Sequence, residues 1–256
     1  MLSDFDLQPS LASFDTARAR AWFADKLGIE PTWEGDDQLD YQFPGGSGMG
    51  VYEAGSAGTA KNTVASWNAP DVVAEVARLK ARGVVFEDYD FGEYRTVDGI
   101  MTDPDGNQTA WFKDADGNIH TIVSIPQMPD TRVTAMIATT DLDRAKRWYA
   151  EKLGLGAPVF ELEGQVVSYR SGAGGFTVYR SEFAGTAQNT VGIWGVDDLR
   201  SEVAALRARG LELEDLEFGD EKTEDGIAAM PSGSLQAWFR DPDGNWLSLR
   251  QEAPSA

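Results

Sequence analysis

The feature that most constrains this chain is an internal repeat. At an offset of 127 positions, residues 61–118 align without a gap with a segment of the second half, and 29 of those 58 positions are identical. At an offset of 126, residues 15–29 match a further segment. Such self-similarity indicates one structural unit present twice. We therefore predict two domains, residues 1–127 and 131–256, joined by a linker at IPQMPD (125–130).

Each copy carries the same order of elements. A short apolar strand (LASF, 11–14) leads to an Asp that begins an amphipathic helix over 16–27, and Gly28 closes this helix. Two or three strands follow. A second round then begins with TVASW (63–67), continues with a helix over 71–83 and ends in three more strands. Because the second copy repeats this order, the sequence predicts four βαβββ modules.

The composition excludes several classes of protein. The chain has 22 Lys and Arg against 42 Asp and Glu, a formal charge of −20. Nucleic-acid binding needs clustered basic residues, so this balance argues against it and would suit a cationic ligand. The chain has no Cys, which removes disulfides, thiolate nucleophiles and Cys-ligated metal sites. No apolar run suits a membrane span and no basic start indicates a secretory signal, so we expect a cytoplasmic protein.

Three motifs carry a resemblance to a known family. RWYAEKLG (147–154), LRARG (206–210) and DPDGN (241–245), in this order, resemble the vicinal oxygen chelate superfamily. That superfamily includes glyoxalase I, bleomycin-resistance proteins, extradiol dioxygenases and fosfomycin-resistance enzymes. The resemblance implies an α+β fold of tandem glyoxalase-like domains, each with two βαβββ modules that form a cupped mixed β-sheet with helices outside. A fold of this kind hosts many functions, so the site is considered separately.

The resemblance also implies a divalent cation held by His, Gln or Glu side chains between two modules. Such a site needs three or four ligands. The matching positions on the first, middle and last strands carry Gln8 and Thr134, Val64 and Val191, and Thr121 and Ser248. A fourth position carries Glu53 in the first domain and Arg180 in the second. If a metal binds, Gln8 and Glu53 are its ligands; because two ligands do not complete the set, we expect no cofactor.

The acidic DPDGN motif raises the question of calcium. It occurs at 103–107 and 241–245, and as DADGN at 114–118. An EF-hand loop places Gly at position 6 and Glu at position 12, whereas here Gly is fourth. Asp followed by Gly is typical of a tight turn, in which Asp bonds its own backbone and Gly accepts a positive φ. We therefore interpret all three copies as turns.

The single histidine and two tryptophans are predicted to face away from the cleft. His120 is adjacent to the ligand position Thr121, and neighbouring residues of a strand face opposite sides. We interpret His120 as an ordinary packed or surface residue, and Trp67 and Trp194 as core residues. With no Cys and one His, a nucleophile–His arrangement lacks its parts.

Without a metal, the predicted cleft is an apolar pocket with a few polar groups, the usual form of a small-molecule site. The aromatic pairs Tyr52 and Tyr179, and Trp111 and Trp238, occupy matching strand positions in the two copies. We predict a metal-independent binding protein of the bleomycin-resistance type that sequesters a cationic or aromatic compound. The predicted ligand-binding residues are Gln8, Tyr52, Glu53, Trp111, Thr121, Thr134, Tyr179, Arg180, Trp238 and Ser248.

Two alternatives remain open. The chain could be a divalent-metal-dependent lyase, isomerase or dioxygenase of the same superfamily, so the sequence leaves enzyme activity undecided. Alternatively, one domain could complete an internal pseudo-dimer without binding a ligand. We expect a small-molecule partner, no nucleic acid and no membrane, in a monomer with an internal pseudo-dimer or in a homodimer.

Overall fold

The structure is a computed structural model that describes residues 2–90, 92, 95–104, 106–124, 133–218 and 221–253. The predicted linker at 125–130 lies outside these residues. The helices are α1 (Thr16–Trp22), α2 (Val72–Ala81), α3 (Leu142–Trp148) and α4 (Leu199–Ala208), with a short 3-10 helix at Leu2–Asp4.

The strands of the first repeat are β1 (Leu7–Ser13), β2 (Trp33–Glu34), β3 (Gln38–Gln42), β4 (Gly48–Glu53), β5 (Thr63–Asn68), β6 (Thr96–Val97), β7 (Ile100–Thr102), β8 (Gln108–Lys113) and β9 (Ile119–Val123). Those of the second repeat are β10 (Val133–Thr139), β11 (Phe160–Leu162), β12 (Val166–Ser171), β13 (Gly174–Arg180), β14 (Thr190–Gly195), β15 (Glu217–Phe218), β16 (Glu221–Lys222), β17 (Ile227–Ala229), β18 (Leu235–Arg240) and β19 (Trp246–Gln251). The element order within each repeat matches the prediction.

Each of the four helices begins at an Asp that caps its N-terminus. The side chain of this Asp accepts a hydrogen bond from the backbone N–H three residues on, which satisfies a donor that has no partner within the helix. The capping residues are Asp15, Asp71, Asp141 and Asp198. α1 and α3 each continue into one π-helical turn and end at Gly28 and Gly154, both in the left-handed conformation that favours glycine.

The strands form two large mixed sheets, and each sheet takes one module from each repeat. The eight-stranded sheet has the order β17-β18-β19-β14-β1-β4-β3-β2, and the nine-stranded sheet the order β11-β12-β13-β10-β5-β9-β8-β7-β6. The repeats meet in antiparallel pairs, β1 with β14 and β10 with β5. β15 and β16 form a separate two-stranded sheet. This α+β architecture of two curled sheets confirms the predicted fold class.

The helices cover one face of each sheet and the hydrophobic core fills the space beneath them. α1 and α3 contact the strands β4 and β13, and α2 and α4 contact β8 and β18. Trp67 and Trp194 belong to this core at 7% and 0% exposure, as predicted. His120 is also fully buried, where it stacks on Phe112 and accepts a hydrogen bond from Trp67 Nε1 at Nδ1. Its interpretation as a packed residue is confirmed.

The DPDGN turn at 241–245 and the DADGN turn at 114–118 connect the two sheets to each other. Asp243 Oδ1 accepts hydrogen bonds from Thr140 N and Oγ1, and its Oδ2 accepts one from Thr139 Oγ1. Asn245 Nδ2 donates to Ala138 O at 2.7 Å. In the first repeat Asp116 accepts from Ser13 and Phe14 in the same way. Gly117 and Gly244 have φ of 90° and 86°, so the turn prediction is confirmed.

Candidate functional site

The faces opposite the helices form two clefts, one on each sheet. Residues alternate in direction along a strand, so every second side chain points into the cleft while its neighbours enter the core. We call the concave face of the eight-stranded sheet the first cleft and that of the nine-stranded sheet the second cleft. The first cleft therefore combines the first module of repeat 1 with the second module of repeat 2.

Strand register aligns most of the predicted ligand-binding residues in two rows. In the first cleft, Trp238 lies opposite Ser248, Ser248 opposite Ile193, and Ile193 opposite Gln8. In the second cleft the corresponding row is Trp111, Thr121, Ser66 and Thr134. Positions predicted to share one domain thus belong to different clefts, since Gln8 lies with Ser248 and Thr134 lies with Thr121.

The valines assigned to the middle ligand position are not in these rows. Val64 and Val191 are each 1% exposed and belong to the core. The residues in register are Ser66 and Ile193, two positions further on. A register shift between Thr63 and Ala65, and its counterpart between Thr190 and Gly192, interrupts the alternation at the start of β5 and β14.

Glu53 and Arg180 lie outside both clefts. Glu53 is opposite Ser13 at the end of β4, on the helix-covered side. Its Oε1 accepts hydrogen bonds from Thr16 N at 3.2 Å and from Thr16 Oγ1 at 3.1 Å, so the carboxylate lies at the N-terminus of α1. Arg180 is the matching residue of β13, opposite Thr139, and is exposed.

The tyrosines of the two clefts use their hydroxyls to join modules. Tyr52 Oη accepts a hydrogen bond from Thr190 N at 3.0 Å, and Tyr179 Oη donates one to Thr63 O at 3.2 Å. Burial raises the pKa of Tyr52, and it raises the pKa of Tyr179 to about 12. Both phenols are therefore neutral at physiological pH. Their rings are half-buried, and their hydroxyls are engaged in these two bonds.

An arginine missing from the sequence prediction lies inside the first cleft. Arg250 is two residues beyond Ser248 on β19, hence on the same face, and its side chain is 14% exposed. Its Nη1 donates to Gln38 Oε1 at 2.7 Å. Four strand spacings separate β19 from β3, about 19 Å across a flat sheet at about 4.8 Å each. The contact therefore shows how strongly this sheet curls.

The second cleft has a different character. Its counterparts of Arg250 and Gln38 are Val123 and Val166, both half-buried. On its floor, Ser66 and Thr134 lie side by side and are fully buried. Their hydroxyls make no hydrogen bond within the part of the chain that the structure describes. A ligand or water in this cleft would find two unused hydrogen-bonding groups.

The residues at the metal-ligand positions do not fit a divalent cation in either cleft. Gln8 and Ser248 flank the aliphatic Ile193 in the first cleft, and the second cleft offers hydroxyls alone. Structural and catalytic sites use imidazole, carboxylate or thiolate donors, of which the two rows have none. Across the described ranges, no three His, Asp or Glu side chains come together as a possible metal group.

Comparison with known proteins relates the second repeat to a family. Residues 132–249 match the Glyoxalase/Bleomycin resistance protein/Dioxygenase superfamily. The match lies within the second repeat, which the first repeat resembles in sequence. The fold agrees, because glyoxalase I from Zea mays superimposes with a TM-score of 0.63 at 14% identity, covering 96% of this chain and 93% of that one. A Bacillus subtilis protein provisionally described as a dioxygenase gives 0.58 at 16% identity, covering 97% and 85%.

These similarities do not assign an activity to the chain. No curated protein sequence matches the chain significantly. The two solved structures of similar fold are less than 20% identical to the chain, so they establish the fold alone. Among the described residues, no helix combines the length and apolar character needed to cross a bilayer.

A separate cavity lies on the helix side of the nine-stranded sheet. Its volume is about 370 Å³ and its walls include Ile29, Trp67, Leu79, Phe112 and Ile122. These are core residues or residues packed on the core. The cavity contains none of the in-register rows, so we place the functional site in the clefts on the strength of their polar side chains.

Proposed function

We propose that this protein binds a small organic molecule without a metal, in the manner predicted for a bleomycin-resistance type of superfamily member. The observation that carries the proposal is the in-register row of Trp238, Ser248, Ile193 and Gln8 in the first cleft. The row places one large aromatic ring beside an amide and a hydroxyl where a metal enzyme needs several charged or imidazole ligands.

The chemistry of the row suits a ligand with an aromatic part. Trp238 is half-buried and has a large ring that can contribute contact area at small entropic cost. Gln8 and Ser248 provide hydrogen-bonding groups that fix orientation, as in most small-molecule sites. Binding of an aromatic compound therefore accounts for the residues of this row and requires no metal ligand.

The proposal is tested by calorimetric titration of EDTA-treated protein with a panel of aromatic antibiotics and cationic glycopeptides. We expect at least one aromatic compound to bind with the same affinity before and after EDTA treatment, and Trp238→Ala to weaken it about tenfold or more. Binding that disappears with EDTA, or one tightly held divalent ion per chain accompanied by turnover, would support the metal-enzyme alternative instead. Silence across the panel would also count against the proposal.

A further inference from the structure

Arg250 lies in the first cleft at a position where the second cleft has Val123, and its charge points to the kind of ligand that the first cleft takes. We infer that the first cleft binds compounds with an acidic group, carboxylate foremost, which pairs with Arg250 while an aromatic part contacts Trp238. This inference rests on the proposed binding function. It replaces the expectation of a cationic ligand, which came from the net charge of the whole chain.

Arg250 is held in place and remains available to an anion. Its side chain is 14% exposed, and the bond from Nη1 to Gln38 Oε1 fixes the guanidinium across the cleft. Gln38 in turn donates from Nε2 to Asp40 Oδ1 at 3.0 Å, which orients the amide oxygen toward Arg250. A guanidinium fixed in this way can bind a carboxylate with little further loss of side-chain conformational entropy.

The present counter-ion of Arg250 is weakly placed. Glu252 Oε1 lies 2.8 Å from Arg250 Nε and Glu252 Oε2 lies 3.2 Å from Nη2, but the Glu252 side chain is 70% exposed. The Nε–H is not directed at Glu252 and makes no hydrogen bond among the described residues, although the nitrogen is buried. Exposed ion pairs contribute little free energy. An acidic ligand can therefore displace Glu252 and also satisfy Nε–H.

The neighbours of Arg250 define the rest of the ligand. Trp238 is a diagonal cross-strand neighbour, because Arg250 lies opposite Gln236 and Ser248 lies opposite Trp238. Diagonal neighbours on one face are about 7–8 Å apart. This separation suits an aromatic ring that carries its acid group directly or through a short spacer. In the second cleft Val123 occupies the position of Arg250, so the same ligand finds no guanidinium at the matching position there.

Three compounds with one ring system and different head groups test the inference. Naphthoate is an anion, naphthamide is neutral and naphthylmethylammonium is a cation. In calorimetric titrations of the full chain, we expect naphthoate to bind about tenfold or more tightly than naphthamide, because hydrogen bonds to charged groups are the stronger class. We expect the cation to bind most weakly. Equal binding of all three would overturn the acidic-ligand inference and leave the binding function standing, whereas binding of none would contradict both.

Variants of the first cleft locate the effect. Arg250→Gln should weaken naphthoate about tenfold to a hundredfold and leave naphthamide within about twofold. Arg250→Lys should give an intermediate loss, since it keeps the charge without the planar fork. The matched control is Arg200→Gln, an equal charge change at an exposed position of α4, which should leave naphthoate binding unchanged.

Glu252→Gln provides a test in which the expected result is tighter rather than weaker binding, so a loss of stability cannot imitate it. If Glu252 competes with the ligand for Arg250, its removal should tighten naphthoate binding about two- to fivefold, in line with the small free energy of an exposed ion pair. A purely structural role for Arg250 predicts the opposite pattern. In that case Arg250→Gln would lower the melting temperature and weaken naphthoate and naphthamide by the same factor, and Glu252→Gln would not tighten either.

Discussion

The first and second clefts share a frame and differ in what lines it. Both have a tryptophan and a tyrosine at matching positions, Trp238 and Tyr52 in the first and Trp111 and Tyr179 in the second. The polar positions diverge. The matched residues, first cleft before second, are Gln8 and Thr134, Gln38 and Val166, and Arg250 and Val123.

This difference separates two kinds of constraint within one repeat. The residues that hold the fold are the same in both copies, among them the capping aspartates and the Asp and Asn of the turns that join the sheets. The aromatic residues of the clefts are also the same, whereas three polar positions that face the clefts differ between the copies. At these three positions the first cleft has a guanidinium and two amides, and the second has a hydroxyl and two aliphatic groups. A duplicated fold can thus present two chemistries without altering its backbone.

The largest expected difference between the sheets concerns pH. Asp241, in the turn of the eight-stranded sheet, is 5% exposed, and burial raises its pKa to about 6 despite hydrogen bonds from Asn245 and Asp243. A carboxyl with a raised folded-state pKa makes the folded chain bind more protons, so its contribution to stability is complete below about pH 4 and is lost as pH rises through about 6. The loss is up to about 3 kcal/mol.

Urea unfolding from pH 4 to pH 7 checks this contribution. The stability difference between the wild type and Asp241→Asn should shrink as pH rises across this range, while Asp197→Asn, an exposed control, should show no such trend. A difference that stays flat would mean that Asp241 is ionised throughout. The adjacent Asp243 works in the other direction: although burial acts to raise its pKa, hydrogen bonds from Thr139, Thr140 and Arg144 hold it below the usual value.

The two cleft tyrosines should differ in their contribution to stability. Tyr52→Phe leaves the backbone N–H of Thr190 without its acceptor, which should cost about 1–3 kcal/mol. Tyr179→Phe leaves only the carbonyl of Thr63 short of one donor, a loss of about 0.5–1.5 kcal/mol. Chemical denaturation of both variants compares them directly. A larger loss of stability for Tyr179→Phe than for Tyr52→Phe would contradict this prediction.

The unpaired hydroxyls should make the second cleft respond oppositely to two similar substitutions. Thr134→Val removes a buried hydroxyl that has no partner and should stabilise the protein by about 1 kcal/mol. Thr121→Val, in the same row, removes a hydrogen bond to Ala110 O at 3.0 Å and should destabilise it by about 1 kcal/mol. Thermal unfolding distinguishes the two. Destabilisation by Thr134→Val would indicate that a bound molecule uses this hydroxyl.

The smallest expected effect tests whether Glu53 belongs to a cleft. Glu53→Gln weakens the interaction of the carboxylate with the N-terminus of α1 and should cost about 0.5 kcal/mol. Because the side chain lies on the helix-covered side, naphthoate binding should not change. Loss of binding in this variant, with the fold intact by circular dichroism, would contradict the placement of Glu53 outside the first cleft.

Local structure could be predicted from this sequence better than the pairing of its parts. Helix caps, glycine ends and alternating strands are set by nearby residues, so the four modules follow from Asp15, Gly28 and their counterparts. The association of modules does not, because both repeats carry the same local pattern and a module cannot reveal which repeat it joins. The sequence therefore predicts Gln8 and Thr121 in the same cleft, whereas the structure places them in different clefts.

The cleft residues show a second limit of the sequence. Counting along a strand identified Gln8, Thr121, Thr134 and Ser248, but it failed where the register shifts before Ser66 and Ile193. Arg250 is not one of the family's metal-ligand positions, so the resemblance does not indicate it. Simple alternation from Ser248 could have found it, whereas its contact with Gln38 depends on the curl of the sheet and is invisible in the sequence.

Because each sheet contains one module from each repeat, the stability of either cleft depends on both repeats. A substitution that unfolds either repeat removes one module from each sheet, so neither repeat can lose its fold without disrupting both clefts. The lining of the second cleft can change while its strands are retained, because β10 also holds the turn of the eight-stranded sheet at Asp243 and Asn245. The second copy of the domain therefore does not make the fold more tolerant of destabilising substitutions. It allows the residues that line one cleft to differ from those of the other while both sheets keep their shape.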